Sequence, residues 1–198
     1  MDMMAIRRRV LMAQRRLPDE YQEVTYIESD GGQQISTGIP TDLLVTADLV
    51  AQFTVATGDS QVLLYAGSTN GVNWFGQRDG MYACGSSGSE KSDVPSTEKA
   101  KVHIEFYANR IACRIGDEEF YRTGATHQNR RIYTLFNIEA YPAKARVFAC
   151  TIYNEGEKIA DYVPCYRRAD GEIGLYDTVS KAFLTNQGTG SFLKGENV

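Results

Sequence analysis

Glu28 and Asp30 stand two residues apart, and so do His103 and Glu105. On an extended chain, residues i and i+2 project from the same face. Two carboxylates so placed are what glycoside hydrolysis asks for, one as acid and one as nucleophile or base. A His beside a carboxylate could begin a metal site, but third and fourth ligands are not evident in the spacing. The other histidine, His127, lies in the polar run Thr126-His127-Gln128-Asn129. No Ser or Cys stands in a nucleophile context of the G-x-S-x-G kind. Gly188-Thr189-Gly190 is too short to cradle a phosphate and precedes no helical pattern, so it reads as a turn.

Sugar binding needs an aromatic ring for the apolar face of a pyranose, with amide, carboxylate or guanidinium groups for its hydroxyls. Asn73, Trp74, Phe75, Arg78, Asp79 and Tyr82 are the one local cluster of that type. Trp74 and Phe75 could equally be core residues. Neighbours on a strand point to opposite faces, so only one of the two can face a core and the other is left available. Calcium would need two or more carboxylates with carbonyls. Asp59 and Asp79 are the candidates, and nothing in their spacing supports the ion. No cofactor or metal is expected.

The chain has 198 residues, the size of one domain. Its net charge of −4 argues against nucleic-acid binding through bulk electrostatics. Cys84, Cys113, Cys150 and Cys165 show no C-x-x-C spacing, which argues against a zinc ribbon or a redox motif. Cys113 and Cys150 fall on apolar faces and read as small core hydrophobes. An even count permits disulfides, and the sequence does not pair them. No run approaches the roughly 18 apolar residues of a membrane span, so no membrane insertion is expected. The N-terminus has no h-region and no small-residue cleavage site, so no signal peptide is expected.

Met3, Ile6, Val10, Ala13 and Leu17 recur at alternating spacings of 3 and 4. That stripe predicts a short amphipathic α-helix over 1–17, stopped by Pro18. Arg7, Arg8 and Arg9 lie off the stripe, and Arg15 and Arg16 follow. Two heptads are too short to be stable alone, so the helix must pack on something. Three readings stand side by side. The segment docks on its own domain, it is an assembly arm contacting other copies or a neighbouring protein, or it is a disordered tail. The arginines lack the interleaved aromatics of a nucleic-acid site.

After Pro18 the period changes to two. Val45, Ala47, Leu49, Ala51, Phe53 and Val55 alternate with more polar residues over 45–55. Further strands are predicted over 23–28 (Val24 and Tyr26 on one face), 61–66, 74–76, 81–84, 101–106, 110–115, 118–121, 132–138, 145–153 (Phe148, Cys150 and Ile152 inward), 158–163 and 172–177. The stretches 67–73 and 85–97 read as loops, the second as the longest mobile surface loop. About a dozen short strands with regular turns argue an all-β sandwich or barrel occupying 18–198.

Both ends carry recognisable strings. Asp161-Tyr162-Val163-Pro164-Cys165 is followed by Gly174-Leu175-Tyr176-Asp177, then Phe183, Asn186, Gly188, Thr189, Gly190 and Phe192. Leu17-Pro18-Asp19-Glu20-Tyr21 opens the N-terminal string, which runs through Gln33 and Gln34 to Ile39. Together they resemble the concanavalin A-like (laminin G-like) β-sandwich domains of phage and prophage tail or virion proteins and of gut bacterial surface proteins. Those domains typically read DFVPC, GLYD and F-x-N-x-G-T-G-x-F at this end. At the start, Asp30 and Gly32 depart from a small-Thr pattern and Gln34 stands where Tyr is common.

The resemblance implies a jelly-roll sandwich of antiparallel strands and a virion location, the protein being made in the host cytoplasm. It implies a non-enzymatic tail, fibre or head-decoration role, with the lectin-like domain mediating assembly or contact with host-surface glycans. Partners would be further copies of the chain or other virion proteins through 1–17. The alternatives are a bacterial surface adhesin module and a degenerate glycan hydrolase of the same fold. Hydrolases on such sandwiches carry roughly E-x-D-x-x-E on one strand. The nearest match, Glu28 to Gln33, lacks the last carboxylate and is broken by Gly31-Gly32.

Overall fold

The computed structural model describes residues 16–68, 71–85, 88–123, 131–136 and 141–198. Of the expected helix only Arg16 and Leu17 fall within them. Met3, Ile6, Arg7, Arg8, Arg9, Val10 and Ala13 lie outside the described residues, as does His127.

Every regular element described is a strand. The first group is β1 (Tyr21–Glu23), β2 (Ile27–Asp30), β3 (Ile35–Pro40), β4 (Val45–Phe53), β5 (Gln61–Ser68) and β6 (Gly71–Arg78). Then come β7 (Met81–Gly85), β8 (Ser89–Pro95), β9 (Ala100–Phe106), β10 (Arg110–Ile115), β11 (Glu118–Thr123) and β12 (Ile132–Leu135). The chain closes with β13 (Lys144–Asn154), β14 (Glu157–Arg167), β15 (Ile173–Asp177), β16 (Phe183–Thr185) and β17 (Leu193–Lys194). A large sheet runs β11-β10-β9-β4-β13-β14-β15-β16, with β2 beside β13, β17 beside β2 and β1 beside β14. A six-stranded sheet runs β3-β12-β5-β6-β7-β8. All pairings are antiparallel, as between β4 and β13 or β5 and β6. The all-β antiparallel sandwich expected from the alternation is the fold.

β4 shows why the layers form. Its odd-numbered residues from Val45 to Phe53 are all buried and its even-numbered ones half-buried. Val55 lies past the strand end, 41 % exposed. One core takes Leu49 and Phe53 from the large sheet together with Leu64, Phe75 and Tyr133 from the small one. Burying each such side chain contributes about 1.5–3 kcal/mol.

Three tyrosines cross that core. The Tyr82 hydroxyl, from the small sheet, lies 2.7 Å from the Ala51 carbonyl and 2.8 Å from that of Glu98. Tyr162, from the large sheet, donates to the Thr37 carbonyl at 3.3 Å, and Tyr133 to that of Leu43 at 3.0 Å. The four cysteines are buried free thiols.

Several strand boundaries differ from expectation. Residues 85–97 are not one long loop, because Ser89–Pro95 forms an edge strand paired with β7. Its one fully buried side chain is a serine, Ser92, so no apolar alternation marks it. Residues 67–73 likewise continue the β5–β6 hairpin, with Gly67 opposite Val72. The first strand is broken. Val24 bridges Asn197, Thr25 bonds Glu196, and Ile27 rather than Tyr26 faces the core.

In β13 a bulge between Val147 and Ala149 adds one residue against Ala51 and Val50. Phe148 therefore points outward onto Tyr26, while Cys150 and Ile152 stay inside. β12 stops at Leu135, because Phe136 takes a left-handed conformation (φ 59°) that no strand accommodates.

The two terminal strings meet. Asn186 Oδ1 accepts from the Gln34 and Gly188 backbone amides at 3.0 and 2.8 Å. Gln187 N donates to Gln34 O at 2.8 Å, and Thr189 N to Gly32 O at 2.7 Å. A Cβ on Gly188 would lie 2.2 Å from the Gly32 carbonyl oxygen, so only glycine permits this approach.

Two outcomes follow. Tyr82→Phe removes a buried donor shared by two carbonyls and lowers unfolding free energy by about 1–3 kcal/mol in urea titrations. Stability also falls in alkali. Burial pushes the Cys150 and Cys165 thiols from the ordinary 9.0 up to about 12. It also raises the Tyr82, Tyr133 and Tyr162 phenols above their usual 10.0. The unfolded chain therefore loses these protons first. The contribution is complete below about pH 9 and is lost progressively as pH rises through the folded-state values. Urea midpoints at about pH 8 and about pH 11 read the difference.

Candidate functional site

The cluster expected to bind sugar is not assembled as a platform. Phe75 and Tyr82 both face the core, their rings stacked 5.8 Å apart at 11°. Trp74 projects to the opposite side of the small sheet, as a strand neighbour must. It is nevertheless only 7 % exposed, packed with Val62, Ala83 and Tyr65. Gly85 makes room for it, since a Cβ there would lie 2.6 Å from the indole. Asn73 is buried. Arg78 and Asp79 are exposed at the β6–β7 turn. Arg78 donates to Ser89 Oγ at 3.1 Å, and Asp79 pairs with Lys91 at 2.8 Å. The Lys91 hydrogen bond holds the Asp79 carboxyl below its ordinary value.

The other candidates are placed as follows. Glu28 Oε2 accepts from Arg146 Nε at 2.6 Å, and that guanidinium lies over the Tyr26 ring. Asp30 Oδ1 accepts from Gly32 N at 3.3 Å, within the turn that follows β2. The Asp59 carbonyl accepts from Thr57 Oγ1 at 2.8 Å. Among the described residues no three His, Cys, Asp or Glu gather closely enough to hold a metal ion.

Asp161 and Asp177, from the C-terminal string, tie β14 to the turn after β15. Asp177 is buried, and its Oδ1 accepts from the amides of Asp161 (2.9 Å) and Val179 (3.0 Å). Burial by itself pushes the Asp161 carboxyl up. Hydrogen bonds from Lys158, Thr151 and Thr178 outweigh it and hold the group below the usual range. Leu17, the last residue of the apolar stripe expected to pack on something, is buried with Val163, Cys165 and Tyr176 of the sandwich.

The polar side chains that do converge lie on the outer face of the large sheet, across β4, β9, β10 and β11. Register puts Asp48, His103, Arg114 and Glu119 in one cross-strand row. Thr46, Glu105, Ala112 and Tyr121 form the next. Asp48 Oδ1 lies 2.8 Å from His103 Nδ1. An ionised carboxylate only accepts, so the imidazole donates from Nδ1 and turns Nε2 toward Glu105, 3.7 Å away. Tyr107 donates to Glu105 Oε2 at 2.7 Å. The Arg110 guanidinium lies over the rings of Tyr107 (4.4 Å) and Tyr121 (5.4 Å).

Sequence reasoning found His103 with Glu105 but not Asp48, Arg110, Ala112 or Tyr121. Alternation names the outward residues of each strand, and only register says which of them are neighbours.

This antiparallel sandwich with a mixed-charge, aromatic-bearing outer face is the class of protein the chain defines. No family model matches the chain, and no curated protein matches it either.

The placement of Trp74, the one tryptophan in the chain, gives a direct optical check. Its emission is blue-shifted and weakly quenched by iodide in the native protein, and both properties revert on unfolding. Strong native quenching would place the indole at the surface.

Proposed function

We propose that the chain is a non-enzymatic recognition and assembly module of a phage or prophage particle, a tail, fibre or head-decoration protein. Its sandwich is of the concanavalin A-like jelly-roll form, displayed toward a host surface and its glycans, with residues 1–17 as an α-helical attachment to further copies or to neighbouring virion proteins. The terminal strings that resemble such domains support the reading, and so does their mutual contact.

The observation that carries it is the anchoring of the chain at Leu17. Leu17 is locked among Val163, Cys165 and Tyr176, with Tyr21 and Phe183 packed around them. Arg16 lies 3.7 Å from Glu23 and 3.8 Å from Asp161. An attachment made through the preceding basic segment would therefore be held rigidly to the sandwich, with little entropy left to lose on assembly.

Deleting residues 1–15 tests this. The truncated protein folds, because Leu17 and its partners remain. It elutes at lower mass in light-scattering chromatography and fails to enter particles. Unchanged mass together with unchanged incorporation overturns the assembly role.

A further inference from the structure

We infer that β11 is a docking edge for the same strand of a second copy of the chain, the two strands running antiparallel about a two-fold axis at Phe120. The inference does not depend on the attachment through residues 1–17.

Exposed strand edges invite pairing, and folded proteins blunt them with short strands, prolines, lysines, bulges or covering groups. The outermost strands elsewhere in this fold are blunted in that way. β1 and β16 have three residues each and β17 two. β3 carries Gly38 at φ 75° and ends on Pro40. β8 carries Lys91 and Pro95, and its register with β7 shifts between Met81 and Ala83. β11 has none of these devices. Its six residues include no proline, glycine or lysine, and they pair with β10 without a break in register. Among the described residues no strand pairs with its other side.

The direction of its free backbone groups follows from the β9–β10 turn. Tyr107 N donates to Arg110 O at 2.8 Å, so Arg110, Ala112 and Arg114 turn their N–H and C=O toward β9. Ile111, Cys113 and Ile115 therefore bond β11, through Arg122, Phe120 and Glu118. That leaves the N–H and C=O of Glu119, Tyr121 and Thr123 aimed away from β10. A groove of about 390 Å³ lies along this edge, lined by Glu90, Glu119, Phe120, Tyr121, Arg122 and Thr123. The strand is braced from beneath. Glu118 Oε1 accepts from the Asp93 amide at 2.8 Å, and Arg122 lies 3.2 Å from Glu90, both on β8.

The side chains select the occupant. β11 begins on two acids, Glu118 and Glu119, and its one cation, Arg122, stands near the other end. Reversed against itself, the strand sets Glu118 opposite Arg122 of the second copy. Glu119 then faces Tyr121 of the second copy. The Arg110 guanidinium lies over the Tyr121 ring, 5.4 Å from its centroid, so Glu119 also meets a cation across the axis. Two-fold symmetry makes each of these contacts twice, and opposite charges across strands stabilise a pair. Main-chain bonds supply the adhesion, as in other cases of strand addition. The contact is isologous, so it consumes the edge in both copies and closes at two rather than growing into a fibre. It is also short, so the dimer dissociates on dilution.

The test follows amide exchange and sedimentation of the full chain over a range of concentrations. The expected result is slower exchange at Glu119 and Tyr121 as concentration rises, in step with a doubling of mass. Tyr121→Pro removes an amide aimed away from β10, a position where a strand tolerates proline, and abolishes both changes. Glu119→Arg weakens the dimer about tenfold, because contacts on both sides of the axis turn repulsive. Adding Arg110→Glu to that variant restores affinity, a rescue that a merely structural role would not give. Unaltered Trp74 emission checks the fold of each variant, and the charge reversals carry the test if Tyr121→Pro does not fold. Slow exchange that is independent of concentration means that the chain covers its own edge, and overturns the inference. Fast exchange at every concentration leaves the edge to a different occupant and overturns the second copy. Concentration-dependent protection that survives Tyr121→Pro overturns β11 as the surface. A double variant as weak as Glu119→Arg alone overturns the antiparallel pairing.

Discussion

A polar atom between two packed sheets must have a partner, and the rest of this molecule is arranged around that requirement. Sheets packed face to face stand about 10 Å apart, a gap that aromatic side chains fill well. This core uses Tyr82, Tyr133 and Tyr162 there, and each brings a hydroxyl that costs free energy if left unbonded. All three end on backbone carbonyls. Tyr82 reaches from the small sheet to Ala51 on β4 and to Glu98 just before β9, and Tyr162 reaches from the large sheet to Thr37 on β3. Apolar packing alone is non-directional and would tolerate one sheet sliding over the other. These hydrogen bonds do not, because a shift of one residue would strand a buried oxygen.

The ends of the chain solve a second problem of the same kind. Short terminal strands bury too little to hold themselves in place. Here they hold each other: Gly32 and Gln34 receive Thr189, Asn186 and Gln187 in a turn-to-turn contact made largely of backbone. Backbone can approach backbone this closely only where side chains are absent. That accounts for Gly188 in the C-terminal string, and it brings two strings far apart in sequence into contact. Each is the mould of the other.

Much of the architecture was legible because alternation records burial directly. β4, β9 and β10 read correctly from their apolar residues alone. β8 did not, since an edge strand of Ser, Glu, Lys and Asp has no apolar face to show. Phe148 was assigned to the core because a bulge shifts phase without changing composition. Alternation says that Trp74 and Phe75 point to opposite faces, but not that both faces are covered: Tyr65, Val62 and Ala83 bury the indole on the side away from Phe75. The outer face was least legible of all. Asp48 and His103 are 55 residues apart in the chain and become partners only through the register of β4 with β9.

The stretch from Arg16 to Glu23 and the residues up to Val198 run side by side. Val198 N donates to Glu23 O at 3.0 Å, and Arg16, Gln22 and Val198 line one shallow cleft. A domain whose entry and exit are neighbours can be spliced into a surface loop of another protein without prying that loop apart. The same proximity lets a short peptide stitch the two ends together while new termini are opened at a distant hairpin. Such a permuted chain would keep both sheets, so this sandwich is portable as a unit.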